Sequence, residues 1–591
     1  MRRLTLLVTF ACSAALLLSS QAPPADTVLL NGTVITVDAR DSIVEALAIR
    51  DGRIVFAGSS SAARAHVGPA TQVVDLAGRT ATPGLIDTHV HFSEPAGTLD
   101  LGDARSMADV IERVRAWAAK VPAGEWVRGG GWDEGKLAEK RYITAADLDK
   151  AAPNHPVYLT HTTGHYAAVN SVALKLAGIT RETKDPPGGT IDRDADGHPT
   201  GVLKERATGL VNARGGGRRG GSMRDHVLRI VAGFHREGMT GAKDLNVSQA
   251  KWDLYKQLLD EGRLTVRVAA LWRGGSSLDS VKQAMAAIAG TPRPPASLGS
   301  GRLVSAGVKL YVDGSGGART AWMYEDWNRN LNETDAGNKG YPASDERYPE
   351  VFREQIRMLT AAGIHAGTHA VGDRAIDWVV DTYAEVLRAN PVKGLRHSII
   401  HANLPTDRAI RVMAELQKTY DSAYPEAQAP FLWWIGDTYA GNFGPARNPR
   451  LEPFQSYVKA GVIWGGGSDY SVTPYAARYG LWSSVVREPL AGTYGKAPFG
   501  TVESIDIRTA LKSYTIWAAR QMFLEQQVGS LEVGKDADIA VWDRNMYTAA
   551  AADLKDLRCE MTLVAGKVVF DLLAPAASRS DVQSRKPTDA W

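Results

Sequence analysis

Residues 81–523 alternate short apolar, strand-like runs with amphipathic helical stretches, and nothing else in the 591-residue chain restricts its fold as strongly. Helical periodicity is clearest at residues 106–120, 224–237, 348–362 and 374–388. Strands separated by helices are joined by crossovers, not hairpins, which predicts an α/β protein with a parallel sheet and helices outside it. No segment repeats at a fixed period. The flanks have a different texture. Val28 to Ile35 reads as two strands across a tight Asn31-Gly32 turn, and similar alternating runs return at residues 537–542 and 561–570. Two β-rich flanks around a long middle predict one small sheet domain assembled from both termini.

The first residues follow another logic. Met1-Arg2-Arg3 precedes an apolar run to Leu18 and a small-residue exit, Ser19-Ser20-Gln21-Ala22. A basic start, a short apolar stretch and small residues predict a signal peptide over residues 1–25, and hence an exported, periplasmic or secreted protein. The run is shorter than the ~20 residues that a bilayer span needs, so no stable membrane insertion is expected after signal removal. A content of 44% hydrophobic and 23% charged residues excludes a disordered chain, and a net charge of +3 gives no reason to expect a nucleic-acid partner. The glycine- and arginine-rich stretch 213–221 is too short to change that reading. Only Cys12 and Cys559 exist, so no cysteine cluster is available to bind metal.

Residues able to bind metal recur where the strand-like runs end. In Pro83-Gly84-Leu85-Ile86-Asp87-Thr88-His89-Val90-His91, alternate strand residues share a face, so His89 and His91 present two imidazoles on one side. Neutral imidazole suits zinc, although a His-x-His pair alone is weak evidence. Lys309 lies within the apolar run Ser305–Val312, where it must be paired, neutralised or able to reach solvent. His369 and His401 end two further runs, and Asp469 ends Ile463-Trp464-Gly465-Gly466-Gly467-Ser468. An aspartate there also reads as a helix cap or turn residue. The weight lies in the series, since these groups fall in chain order at strand ends.

Together these residues resemble the metal-dependent amidohydrolase superfamily, and within it the amidohydrolase-3 (YtcJ-like, N-substituted formamide deformylase-like) branch. The stretch Pro83 to His91 resembles the superfamily's first-strand signature, and Gly529 to Asp538 its C-terminal one. His369 to Ala375, Lys309 to Ser315, Gly164 to Ser171 and Gly201 to Ala207 are similar to motifs of the branch. The resemblance implies a distorted TIM (β/α)8 barrel over residues 83–523, with an insertion at about 120–225. It also implies a small β-sandwich domain formed from both termini, residues 26–82 and 524–573, and leaves 574–591 as a tail. Carried over residue by residue, it places His89 and His91 on one metal and His369 and His401 on a second. Lys309, carbamylated, would bridge the two, and Asp469 would be both ligand and proton carrier. The implied cofactor is a binuclear divalent centre, with Zn(II) the expected metal. The implied activity is hydrolysis of a non-peptide carbon–nitrogen bond in a small amide-like molecule.

The sequence departs from the pattern at Ile400, where relatives often carry glutamate, and at Asn403, where glutamine is common. The insertion offers Trp132, His165 and Asn170 as substrate contacts, with Asp313 beside Lys309, while Glu205 and Asp244 are further candidates. His365 reads better as a core residue than as a pocket one. Other readings stay open: lactone or cyclic imide hydrolysis at the same centre, a mononuclear deaminase, and a binding protein without activity. The oligomeric state is open too, a homodimer being one reading.

Overall fold

The computed structural model of the protein describes residues 23–92, 99–212, 222–327, 337–345, 347–492 and 498–573. Most of the expected signal segment, Cys12 and the expected tail lie outside the described residues. An eight-stranded, wholly parallel sheet organises the rest. Its strands are β1 (Leu85–Val90), β2 (Met239–Val247), β3 (Arg267–Arg273), β4 (Leu303–Tyr311), β5 (His365–Ala370), β6 (Ser398–His401), β7 (Tyr424–Ala427) and β8 (Gly465–Gly466). Each pairs with the next, from β1 to β8. The sheet almost closes on itself: Thr88 Oγ1 donates to the Gly466 carbonyl at 3.1 Å, the His91 N–H donates to the Tyr470 carbonyl at 2.6 Å, and Val90 bridges Tyr470 in parallel.

Helices follow β2 to β6 because the sequence writes a 3.6-residue apolar stripe after each of these five strands. In Asp373–Ala389, Ile376, Val379, Val380, Tyr383 and Leu387 are buried on one face, and Asp373 stands in the first turn, where it favours the helix dipole. Burying such side chains contributes about 1.5–3 kcal/mol each. In Asp407–Tyr420, Thr406 Oγ1 caps the Ala409 N–H at 3.0 Å, and Asp421 ends the helix in a left-handed conformation. Three of the four helices expected from periodicity lie outside the barrel within a residue or two of their predicted ends: Met223–Arg236, Tyr348–Ala361 and Asp373–Ala389.

The fourth, Met107–Ala118, belongs elsewhere. Its buried residues Met107, Val110 and Val114 share a separate core with Val127, Trp132, Leu148 and Leu159. Among the described residues the insertion has begun by Leu99, earlier than the expected residue 120, because the strand Leu99–Asp100 and this helix belong to the insertion's own six-stranded sheet and core. The flanks also differ from expectation at Asn31-Gly32. Thr27–Leu30 and Thr33–Ile35 do not pair with each other. The first lies between Ala46–Arg50 and Gln72–Asp75 in a four-stranded sheet. The second lies between Ile43–Val44 and Thr80–Pro83 in a six-stranded sheet that also contains Ile539–Trp542, Cys559–Val564 and Lys567–Asp571. The turn carries the chain from one sheet to the other. A Cβ on Gly32 would come within 2.4 Å of Leu76 Cδ1, so a larger residue at that crossing would have to displace the Leu76 side chain. Among the described residues, no helix is long and apolar enough to cross a membrane.

Candidate metal centre

The C-terminal mouth of the eight-stranded sheet gathers the residues that end its strands. His89 lies in β1, with His91 just beyond it. Lys309 lies in β4 and His369 in β5, His401 ends β6, and Asp469 follows β8. The His89 and His401 rings are 4.9 Å apart, and those of His369 and His401 are 4.5 Å apart. His89 Nε2 and His91 Nε2 lie 2.9 and 3.1 Å from Asp469 Oδ1, and 3.3 Å from each other. Yet neither ring is oriented to donate to that oxygen, which is buried without a hydrogen-bond partner. Three electron-pair donors thus converge on one point. An anionic oxygen and two imidazole nitrogens form the donor set that suits a divalent cation such as zinc, so the residues present fit a metal.

Hydrogen bonds outside the centre fix which nitrogen of each remaining histidine faces it. The Gly314 carbonyl takes His369 Nε2–H at 2.9 Å, which leaves the Nδ1 lone pair for a ligand. Gln428 Oε1 takes His401 Nδ1–H at 2.6 Å, which leaves Nε2. Burial keeps the imidazoles neutral, the form that binds metal: it pulls His89 down to about 3, against the opposing pull of Asp469, and His369 and His401 well below the usual range. Burial works to raise the Asp469 carboxyl, but His89 and His91 beside it hold it well below the ordinary carboxylate range. Lys309 sits among these groups and its charge weighs on His89, His369 and His401 alike. Burial brings its amine down to about 7, although Asp469 and Glu426 favour the cation.

The supporting layer explains why the strand ends hold these positions. Asp87 is fully buried, and its carboxylate takes the His89 N–H at 2.9 Å, the Ser468 N–H at 3.0 Å and the Ser468 hydroxyl at 2.6 Å, tying β1 to the segment that carries Asp469. A Cβ on Gly467 would lie 2.9 Å from His89 Cβ, so only glycine lets that segment approach β1. His401 and Asp469 adopt φ of 73° and 55°, a region that non-glycine residues rarely enter. Gln428, one residue past β7, holds His401 while its own amide donates to the Glu426 carbonyl at 2.8 Å. Replacing Gln428 with leucine should weaken metal binding by about 10- to 100-fold, as loss of such an outer hydrogen bond generally does. Competition with a calibrated chelator measures this, and an unchanged affinity would mean that packing alone sets the His401 ring.

The other predicted contacts are placed unevenly. His165 stands at the mouth, its ring 5.3 Å from that of His369. Trp132 is fully buried, with Nε1–H donated to the Leu159 carbonyl at 3.2 Å. Asn170 is fully buried as a helix cap, its oxygen accepting from Ala173 and Val157 N–H and its amide donating to the Ala152 and His155 carbonyls. The expectation that Trp132 and Asn170 face a substrate is corrected by this burial. Asp313 is corrected likewise: its carboxylate accepts the backbone N–H of Trp322, Val371 and Gly372, holding the loop after β4 to the one after β5, and burial raises it to about 7. Asp244 is held by Lys251 at 2.7 Å and Tyr255 at 2.6 Å. Ile400 packs with Leu245 and Leu271, away from the centre, and Asn403 donates to Glu452 at 2.6 Å.

A second buried group, Asp133, Glu134 and His161, was not read from the sequence. The Thr163 N–H donates to His161 Nδ1 at 3.1 Å, so the ring's proton is on Nε2, which faces Glu134 Oε2 at 3.2 Å. The Tyr166 hydroxyl donates to Glu134 Oε2 at 2.7 Å, while His161 Nε2, Glu134 Oε1 and Asp133 Oδ2 are buried without a hydrogen-bond partner among the described residues. Phe431 stacks on His401 with ring centres 5.9 Å apart.

The model of the amidohydrolase family matches residues 72–570. The chain is 29% identical over 560 residues to the N-substituted formamide deformylase of Arthrobacter pascens, covering 92% of this chain and 98% of that protein. It is 27% identical over 553 residues to the YtcJ amidohydrolase of Bacillus subtilis (strain 168), covering 91% and 98% respectively. Among solved structures, an uncharacterized metal-dependent hydrolase from Pyrococcus horikoshii OT3 has a TM-score of 0.64 at 24% identity, covering 89% of this chain and 99% of the other, a likeness of fold.

Proposed function

Because this chain belongs to the amidohydrolase family, we propose that it is a metal-dependent hydrolase that cleaves the carbon–nitrogen bond of a small, non-peptide amide. The observation that carries this reading is Asp469 Oδ1, buried without a hydrogen bond between two imidazole nitrogens at 2.9 and 3.1 Å. His89, His91 and Asp469 would hold one divalent ion, with zinc as the expected metal, and His369 and His401 a second. Lys309 Nζ, as a free amine, would add carbon dioxide and release one proton to become a carbamate, so that a neutral nitrogen is replaced by an anionic oxygen donor for the metal. Bound metal supplies Lewis acidity, polarising the substrate carbonyl and lowering the pKa of water toward ~7. Asp469 takes the proton of the attacking water and passes it to the leaving nitrogen. Gln428 and the Gly314 carbonyl keep His401 and His369 in the tautomers this arrangement needs, and Asp87 keeps Asp469 against β1.

The choice of an amide is supported by the name of the Arthrobacter relative, which makes an N-substituted formamide the first substrate to try. The reading includes export on the N-terminal segment described above, and it treats the two flanking sheets, which share a core of Leu29, Val34, Leu47, Ile539, Val541 and Leu563, as one β-sandwich domain. A second reading has one specific observation behind it: His89, His91 and Asp469 form a complete three-donor set without Lys309, so a single-metal centre would also be supported. Hydrolysis of an N-substituted formamide should vanish on treatment with a strong chelator and return with Zn(II). Activity that survives full removal of metal would overturn the reading.

A further inference from the structure

Resting on that reading of the site, one side chain of the insertion invites a more specific role. His165 lies between the strands Val157–His161 and Tyr166–Val169, and Glu205 ends the strand Pro199–Glu205. The sheet itself sets the two side by side, since Tyr166 pairs with Lys204 and the Glu205 N–H donates to the His165 carbonyl at 2.7 Å. His165 Nδ1 lies 3.0 Å from both carboxylate oxygens of Glu205, and Glu205 Oε1 also accepts the Thr320 hydroxyl at 2.5 Å. Glu205 is held at φ 50°, ψ −125°, a strained conformation of the kind that clusters at functional sites.

A carboxylate can only accept hydrogen bonds, so Nδ1 carries a proton; burial opposes a second one, while Glu205, Asp469 and Asp313 raise the ring above its usual range, so it is on the alkaline side of that range that Nε2 presents a bare lone pair. That nitrogen makes no hydrogen bond to any described residue, and the side chain keeps 20% of its exposure. The neighbouring polar groups are committed. His369 faces the metal position, and the Tyr311 hydroxyl, on a ring also 5.3 Å from His369, contacts Asn246. The one hydrogen-bond donor that an unactivated secondary amide offers at its reacting centre is its own N–H.

We infer that His165 Nε2 accepts the N–H of the scissile amide, making His165 a specificity-determining residue that favours N-monosubstituted over N,N-disubstituted amides. An acceptor built for a donor is left unpaired by the N-methylated analogue, and the expected discrimination is about 10- to 100-fold.

The test uses the full chain loaded with zinc. Metal content and hydrolysis of an N-alkylformamide by the parent are measured first, and these decide the reading of the site by themselves. Calorimetry then compares an N-alkylmethanesulfonamide, which keeps the N–H but has no acyl group to lose, with its N-methyl derivative. The parent should bind the N–H compound about 10- to 100-fold more tightly, and the same preference should appear in kcat/KM for N-alkylformamide over its N-methyl counterpart. His165→Leu should bring both ratios close to one with metal content and Tm unchanged. His165→Gln, whose amide oxygen can accept, should keep part of the preference, which also covers the case in which the leucine variant does not fold. A ratio near one in the parent, a ratio that persists in His165→Leu, or failure of the zinc-loaded parent to bind either compound overturns the contact. Normal zinc content and hydrolysis alongside any of these would leave the function itself standing.

Discussion

Asp469→Asn is expected to lower kcat by about 10³-fold or more while the protein stays folded, because the substitution removes a proton acceptor and an anionic ligand together. The carboxylate is the acceptor that the proposed chemistry needs: it lies 2.9 and 3.1 Å from two imidazole nitrogens, and its neighbours keep it ionised far below neutral pH. Asparagine matches it in size and, unlike most residues, tolerates the positive φ of 55° found there. The backbone N–H of residue 469, which donates to the His89 carbonyl at 2.8 Å, is retained. The Tm should therefore move by no more than about 2–4 °C, the shift that 1 kcal/mol produces in a large domain. Steady-state kinetics beside a thermal melt measure both quantities. Turnover that persists at the parent's rate would remove Asp469 from the proton path.

Lys309→Met should be equally severe, for a reason rooted in burial. The lysine is 1% exposed, and its Nζ has no hydrogen-bond or ion-pair partner among the described residues; the Tyr311 ring lies 4.8 Å away. A second lysine of the interior, Lys243, already takes Glu426 as its partner. An ammonium at residue 309 would thus add a buried positive charge beside the imidazoles, offset by Asp469 and Glu426 without an ion pair to either, which is costly in a buried setting. An amine brought down to about 7 is in part neutral at physiological pH, the form that adds carbon dioxide. Methionine keeps most of the volume and loses the nucleophile. Loss of one bridging oxygen ligand should remove several kcal/mol of transition-state stabilisation, about 10³-fold in kcat, and one metal per chain. Full activity and full metal content in this variant would show that Lys309 is a structural residue.

Much of this arrangement is legible in the sequence because it depends on local order. The alternation of strands and helices fixes a parallel sheet, and residues at strand ends face the mouth of such a sheet whatever the details of packing. His89, His91, Lys309, His369, His401 and Asp469 are visible for that reason. Gln428 is not, because its role depends on β7 standing beside β6, a contact between chain segments 27 residues apart. Glu205 reads from the sequence only as a further candidate contact, because its partner His165 lies 40 residues away. Asn170 stands directly before Ser171-Val172-Ala173-Leu174, a helix-start signal that favours asparagine as a cap over asparagine as a ligand. Asn31-Gly32 is a strong hairpin signal in isolation, and only the competing pairing with distant strands shows that the chain changes sheets there. The helix at Met107–Ala118 carries an ordinary amphipathic stripe, and periodicity alone does not say which sheet receives it.

Metal content per chain tests the account most directly. Elemental analysis is made on protein purified without chelators and supplied with bicarbonate and Zn(II). The account predicts two metals per chain, held by His89, His91, Lys309, His369, His401 and Asp469. One metal per chain would support the mononuclear arrangement on His89, His91 and Asp469. No metal, even after reconstitution, would contradict the catalytic reading.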